Sequence, residues 1–194
     1  MRRTTRWTTR LATALVAPAL AASAVVVGSS APALADEAPR GSIHEEASRQ
    51  AAADYRQKAQ RERDALQAGD AIREQVVSVA LDQVGDNYGT GGEGPDVFDC
   101  SGLVVYAWRS VGIELTHYSW AQYQATERIS LKEARPGDLA FYFENGARHV
   151  AIYIGKGKVV HASDYGIGVV RGVVKGTPWT NEHFTGMGRV KLPS

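Results

Sequence analysis

Apolar positions fall in three regimes along the chain. From Leu11 to Val27 there are 17 residues without a charge. From Asp36 to Asp70 large apolar side chains are few, namely Ile43, Tyr55 and Leu66 among alanines and long polar side chains that favour helix. From Ala71 the pattern becomes periodic. Ile72, Val76, Val79 with Ala80, and Val84 recur at steps of three to four residues. That spacing predicts an amphipathic helix with Gly85 as its stop. Leu103, Val104, Ala107, Trp108 and Val111 predict a second helix, ended by Gly112. From Leu139 onward short β-rich runs alternate with glycines: 139–143, 149–154, 158–162, 169–174 and 188–192. Helices first and strands second predict an α+β domain, with N-terminal helices packed on an antiparallel sheet. No internal repeat is evident.

The first regime reads as an address. Arg2, Arg3, Arg6 and Arg10 precede the apolar run, and Ala33-Leu34-Ala35 supplies a small-x-small cleavage pattern. Residues 1–35 are therefore expected to be a secretory signal peptide. An uncleaved anchor is the rival, but the run is Ala-rich, contains Pro18, and is short of the ~20 residues that a span needs. No cysteine lies near the cleavage site, which excludes a lipid-anchored lipoprotein. Asp36–Asp70 carries 8 acids and 6 bases, and its apolar stripe is too thin for a sustained coiled coil. It is expected to form a charged helical linker over 36–70, helical at 42–68. It is either a spacer or a dispensable tail. The globular unit then runs over 71–194.

Composition narrows the function. The formal net charge of +1 over 194 residues belongs to the export segment. Beyond residue 35 there are 18 basic and 21 acidic residues, a net charge of −3. No broad basic face exists to hold a nucleic acid. One cysteine in the chain excludes an internal disulfide scaffold and any zinc site built from several thiolates.

That cysteine lies in Asp99-Cys100-Ser101-Gly102, where a Gly-rich loop meets the second helix. Asp99 is suited to cap the helix, which puts Cys100 in the first turn. The positive end of the helix dipole then favours thiolate, the nucleophilic form. A lone cysteine is commonly just a small buried hydrophobe. Export and a position at a helix start, outside any apolar stripe, weigh the other way.

Of five histidines, His44 lies in the charged linker, His117 in a loop, and His183 near the C-terminus with no evident partner. His149 and His161 occupy consecutive strands around Gly155-Lys156-Gly157. A three-residue loop pairs Ile154 with Lys158 and Ala151 with His161. His149 and His161 then share a face, diagonal and roughly 7–8 Å apart by Cα. A two-residue loop without a bulge puts them on opposite faces. Val150, Ile152, Ile154, Val160 and Ala162 form the apolar parity, leaving the histidine face against the Cys100 helix. A Cys/His/His metal site would have no familiar ligand spacing.

Taken together, these residues resemble the NlpC/P60 cysteine peptidases, which cut peptidoglycan stem peptides. The resemblance runs from Ile72 to Arg189. It is carried by Tyr88, Gly91-Gly92, Phe98-Asp99-Cys100-Ser101-Gly102-Leu103, Ser119 and Gln122, Arg135-Pro136-Gly137-Asp138-Leu139, His149-Val150-Ala151-Ile152-Tyr153-Ile154-Gly155 and Val160-His161-Ala162. Asn87 and Thr90 stand where the family's loop usually has Pro and Trp, and Leu115-Thr116-His117 replaces a Leu-Pro-Arg stretch. These departures alter the cleft wall and spare the triad.

The resemblance implies a papain-like fold. It implies Cys100 as nucleophile, His149 as general base and then acid, and His161 as the group that orients His149. Tyr88 is implied at the oxyanion, and Asp99 and Ser101 at the substrate. No metal or organic cofactor is implied. The implied substrate is the peptidoglycan stem peptide, at the bond between D-glutamate and the diamino acid. The protein would be exported to the cell wall as a monomer, with no nucleic-acid partner and no membrane insertion after signal cleavage. Two alternatives stay open: a catalytically silent domain that binds wall peptides or a partner, and an amidase or acyltransferase acting on another amide or lipid.

Overall fold

The computed structural model describes residues 41–193; the expected signal peptide and residues 36–40 lie outside them. Helix α1 spans Gly41–Asp82 without interruption. The two helical stretches expected at 42–68 and 71–84 are thus one helix, roughly 60 Å long at 1.5 Å per residue. Gly69, at the expected boundary, is a weak helix former but not a breaker. The side chains up to about residue 70 are mostly exposed, whereas Arg73, Val76 and Ala80 are buried. The change in composition at residue 70 therefore marks where the helix meets the core, not where it ends.

A parallel pair of two-residue strands, β1 (Asn87–Tyr88) and β2 (Val97–Phe98), brackets the Gly-rich loop. Helices α2 (Cys100–Arg109) and α3 (Ser119–Ala125) follow. The rest is β3 (Glu127–Ile129), β4 (Leu139–Tyr142), β5 (His149–Gly155), β6 (Lys158–Ala162), β7 (Val169–Val173), α4 (Pro178–His183) and β8 (Phe184–Arg189). The main sheet is antiparallel, in the order β3-β8-β4-β5-β6-β7.

Alternation gives the sheet two faces. Leu139, Phe141, Val150, Ile152, Val160 and Ala162 pack with Val76 and Ala80 of α1 and with Leu103, Val104, Ala107 and Trp108 of α2. Ala140, Tyr142, Ala151, Tyr153, Val159 and Met187 form a smaller cluster on the other face. The apolar parity read from β5 and β6 is thus the face that meets α2. His149 and His161 lie on the opposite face, which corrects the expectation that they face the body of that helix.

Asp138 ties the layers together. It is fully buried and accepts from Arg73 Nη1 at 2.9 Å and from Arg189 Nε and Nη2 at 3.1 and 2.8 Å. The Arg135 backbone N–H donates to it at 2.7 Å. A buried charge is retained only when paired and hydrogen-bonded in this way. The Arg-Pro-Gly-Asp motif is therefore a structural clamp joining α1 to β8.

The last strand lies at 184–189, four residues before the expected 188–192. Its Phe-Thr-Gly-Met-Gly sequence carries no β signal, and at Gly188 packing demands the glycine. A Cβ on Gly188 would stand 2.8 Å from the Phe141 ring and closer still to Thr126. Helices α3 and α4 are too short for periodicity to detect. A local signal for α4 does exist: Thr177 caps it, bonding the Thr180 N–H at 3.1 Å, with Pro178 as the first helical residue.

Candidate active site

The loop and helix around Cys100 are built on Asp99. Asp99 is the N-cap of α2 and accepts the Gly102 N–H at 2.8 Å, so Cys100 is the first helical residue, as expected. The same carboxylate accepts from Gly91 N at 2.9 Å and from the Ser101 hydroxyl at 3.0 Å, and His117 Nε2 lies 2.8 Å away. Burial pushes the Asp99 carboxyl up, but the bonds from His117, Gly102, Gly91 and Ser101 outweigh it and hold it below its ordinary range. Gly102 has to be glycine, because the Gly92 carbonyl oxygen occupies the place of its Cβ. The Gly92 oxygen in turn accepts the Asp99 N–H at 2.8 Å. Buried Gln122 closes the arrangement by donating to the carbonyls of Ser101 and Thr116 at 3.1 and 2.9 Å.

This network changes the reading of Asp99 and Ser101. Both were expected at the substrate. Instead Asp99 is committed to internal donors, and Ser101 is buried with its hydroxyl turned to Asp99. Asp99 and Ser101 thereby position the loop that carries Cys100. His117, expected only as a loop residue, belongs to this network. No spacing signal in the sequence links it to Asp99.

The hairpin of β5 and β6 decides the histidine geometry. Its turn is the two-residue Lys156-Gly157, both with positive φ (52° and 72°). A bulge between Tyr153 and Gly155 adds the residue that restores parity, so Tyr153 pairs with Val159 and Ile152 with Val160. The β5–β6 ladder stops there, while β4–β5 continues to Tyr142↔His149 and β6–β7 to Ala162↔Val169. The sheet is open between His149–Ala151 on one side and His161–Ala162 on the other.

Across this opening His149 Nε2 lies 2.9 Å from His161 Nδ1. The Val150 backbone N–H, one residue along β5, is directed at the Cys100 sulfur. Tyr142 and Trp179 flank the His149 ring at centroid distances of 5.6 and 6.0 Å. Among the described residues His149 Nδ1 has no hydrogen-bond partner, and it is not one of the sealed unpartnered polar atoms.

Burial dominates the electrostatics. It pushes the Cys100 thiol up to about 11, against the opposing effect of the Val150 amide. It pushes His149 down to about 3, with the neighbouring His161 acting in the same direction, and His161 down to about 4. The resting pair is a neutral thiol and a neutral imidazole. The thiolate expected from the helix dipole alone is therefore corrected: desolvation outweighs the dipole at this position.

Tyr88 lies within electrostatic reach of Cys100, and burial raises its hydroxyl pKa. Its ring meets Tyr165 edge-on at 5.0 Å. The Tyr165 hydroxyl donates to Thr90 Oγ1 at 3.1 Å and accepts the Thr90 N–H at 3.2 Å. Thr90, the departure from the family's loop, thus has its own partner in Tyr165. Among the described residues no group of three or more His, Cys, Asp or Glu is placed to hold a metal ion.

A cysteine at a helix start, set against an antiparallel sheet that carries a histidine pair, defines a papain-like α+β protein. The NlpC/P60 family model matches residues 85–189, and the chain belongs to that family. It is 40% identical over 116 residues to a probable endopeptidase p60 of Listeria monocytogenes, covering 59% of this chain and 23% of that protein. It is 40% identical over 114 residues to peptidoglycan endopeptidase RipA of Mycobacterium tuberculosis, covering 52% and 24%. The chain spans about a quarter of the length of these curated relatives. The P60 domain of an M. avium subspecies paratuberculosis antigen superposes with a TM-score of 0.56 at 32% identity, over 63% of this chain and 96% of that one. RipA structures mutated at a cysteine, a histidine and a glutamate superpose with a TM-score of 0.56. Those three RipA positions are separated by 49 and then 12 residues, the same intervals that separate Cys100, His149 and His161.

Proposed function

We propose that the chain is an exported peptidoglycan endopeptidase that cleaves stem peptides with Cys100, His149 and His161. The observation that carries this reading is the His149–His161 bond across the sheet opening, one residue along β5 from the amide that faces the Cys100 sulfur. Its support is the family membership and the names of the relatives.

For His149 to act as base, Nδ1 needs a free lone pair. Its proton then sits on Nε2 and is donated to His161 Nδ1, and His161 carries its own proton on Nε2. The proton of the Cys100 thiol passes to His149 Nδ1 as the sulfur adds to the scissile carbonyl. The oxyanion is met by the Cys100 backbone N–H at the start of α2, with the Tyr88 hydroxyl beside it. The intermediate collapses with loss of the amine, which takes the proton from His149. Water then gives its proton to His149 and hydrolyses the thioester, regenerating the thiol. No cofactor enters these steps. The bond assigned is that between D-glutamate and the diamino acid. Residues 1–35 act as signal peptide, 36–70 as helical spacer and 71–194 as catalytic domain.

The test is digestion of purified peptidoglycan by the chain starting at Asp36, with fragment masses read by mass spectrometry. The expected products carry a new diamino-acid N-terminus, and Cys100→Ala yields none while keeping its circular dichroism. Cleavage by the Ala variant at the wild-type rate would overturn the reading. The neutral resting thiol favours, among the alternatives, a silent binding domain. Alkylation of Cys100 by iodoacetamide separates the two, since only a working base makes the rate fall in His149→Gln.

A further inference from the structure

Helix α4 has no part in the proposed reaction, yet one of its side chains reaches the reaction centre. Trp179, the second residue of that helix, packs against four rings. The centroids of Tyr142, Phe143, His149 and His183 lie 5.3, 5.7, 6.0 and 5.1 Å from its own. The indole is 43% exposed, whereas His149 is 8% exposed and Tyr142 is buried. A half-exposed ring packed on two buried ones stands between them and solvent. Trp179 also lines one cavity with His161, so it borders both members of the histidine pair.

The chain on either side holds the indole in place. Thr177 caps α4 by accepting the Thr180 N–H at 3.1 Å, and Asn181 Oδ1 accepts the Gly176 N–H at 3.0 Å. Across the indole, Phe143 has φ of 65°, a conformation that a bulky residue rarely adopts. It is secured from α4 and the start of β8. The Phe143 N–H donates to the His183 carbonyl at 2.7 Å, and the Thr185 hydroxyl donates to the Phe143 carbonyl. The His183 ring stacks on Phe143 at 4.4 Å, and Phe143 meets Trp179 edge-on. A six-residue helix and a strained residue thus converge on one side chain.

We propose that Trp179 is a positioning residue, which fixes the His149 ring against Tyr142 and keeps water off the His149–His161 bond. The inference rests on the proposed mechanism, in which His149 is the base. Water that reached this bond would compete for it, and a released ring could turn its Nδ1 lone pair away from the thiol. Water would also favour the charged imidazolium, because burial is the main cause that holds His149 neutral. The titratable groups packed around His149 are Tyr142 from β4 and His161 from β6. Cys100 of α2 lies one residue along β5, at the Val150 amide. Among the described residues no carboxylate forms an ion pair with His149. Trp179 brings no charge of its own, so its removal acts through water and ring freedom alone.

The test reads the ring directly. Wild type, Trp179→Phe and Trp179→Ala are labelled with ¹⁵N-histidine and titrated from about pH 8 to about pH 4.5. His149→Gln assigns the resonance, and circular dichroism checks the fold. His149 is expected to be neutral at about pH 5 in wild type and in Trp179→Phe, which keeps a ring against Tyr142. In Trp179→Ala it is expected to be protonated there, with a midpoint of about 6. Stem-peptide cleavage at about pH 5, relative to about pH 8, should then fall about tenfold in Trp179→Ala and less than about twofold in the other two. A His149 ring still neutral at about pH 5 in Trp179→Ala overturns the proposal, as does a wild-type ring already protonated there. A midpoint raised in Trp179→Ala, with no cleavage by wild type, supports the shield and overturns the catalytic reading, so the two failures are distinguishable. If Trp179→Ala does not fold, Trp179→Gln is read in its place with the same expectation.

Discussion

His149 and His161 are joined at 2.9 Å across strands whose ladder has already ended at Ile152↔Val160. The rings stand nearly perpendicular, at 82°. The bulge before the Lys156-Gly157 turn sets their parity, and the opening of the sheet gives them room. One inserted residue at the tip of a hairpin thus decides whether the two imidazoles can meet.

Burial of the two rings predicts the acid limb of both activity and stability. His149 is held near 3 and His161 near 4, against about 6.5 in an unfolded chain. A ring with a depressed value binds protons less readily when folded. Between about 6.5 and these values the unfolded state holds more protons, so stability rises with pH there and falls on acidification. The melting temperature should therefore drop as pH is lowered from about 6.5 to 4, and His149→Gln/His161→Gln should flatten that slope. His149, the proposed base, stays neutral over the same range in folded protein. Hence kcat/KM should hold down to about pH 4. An acid limb centred near 6.5 in the pH profile would contradict the burial argument.

His161 is assigned to orient His149, and its replacements should rank by hydrogen-bonding capacity. His161→Leu leaves Nε2 of His149 unpaired and should lower kcat by roughly two orders of magnitude with little change in KM. His161→Glu places a carboxylate at the position where the RipA spacing has a glutamate, and should keep most of the rate. A Leu variant as active as Glu in a peptide-cleavage assay would remove His161 from the mechanism.

Much of this site was legible in the sequence, for local reasons. Asp99 as N-cap and Cys100 in the first turn follow from residue type and a helix boundary. The shared face of His149 and His161 follows from strand parity once a bulge is allowed. What escaped depends on contacts distant in sequence. His117 reaches Asp99 and Tyr165 reaches Thr90 across 18 and 75 residues. The high thiol escaped for a related reason: the dipole of α2 can be read locally, but the desolvation that outweighs it comes from the packed sheet. The last strand was displaced because Gly186 and Gly188 carry no β signal, and only the neighbouring Thr126 and Phe141 show why a side chain is excluded at Gly188.

Asp138 supplies a prediction about stability alone. With two arginines on a fully buried carboxylate, Asp138→Ala strands Arg73 in the core. The loss should be about 3–5 kcal/mol, read as a lower midpoint in urea. Asp138 lies in a motif that the resemblance quotes, yet it touches none of the three proposed catalytic residues. At a temperature where the variant is still folded, its cleavage rate per folded molecule should match wild type.

Tyr165 offers the sharpest test of how this chain's cleft differs from the family's usual loop. Its hydroxyl makes both bonds to Thr90, and its ring supports Tyr88 edge-on. Tyr165→Phe keeps the ring contact and removes the two bonds, which join exposed groups and are worth about 1 kcal/mol together. If the clamp holds the Tyr88 loop over bound peptide, KM should rise about fivefold while kcat changes little. Tyr165→Ala removes the ring as well, frees Tyr88, which is proposed to lie beside the oxyanion, and should lower kcat in addition. An equal fall of kcat in the Phe and Ala variants would instead place the Tyr165 hydroxyl itself at the reacting atoms.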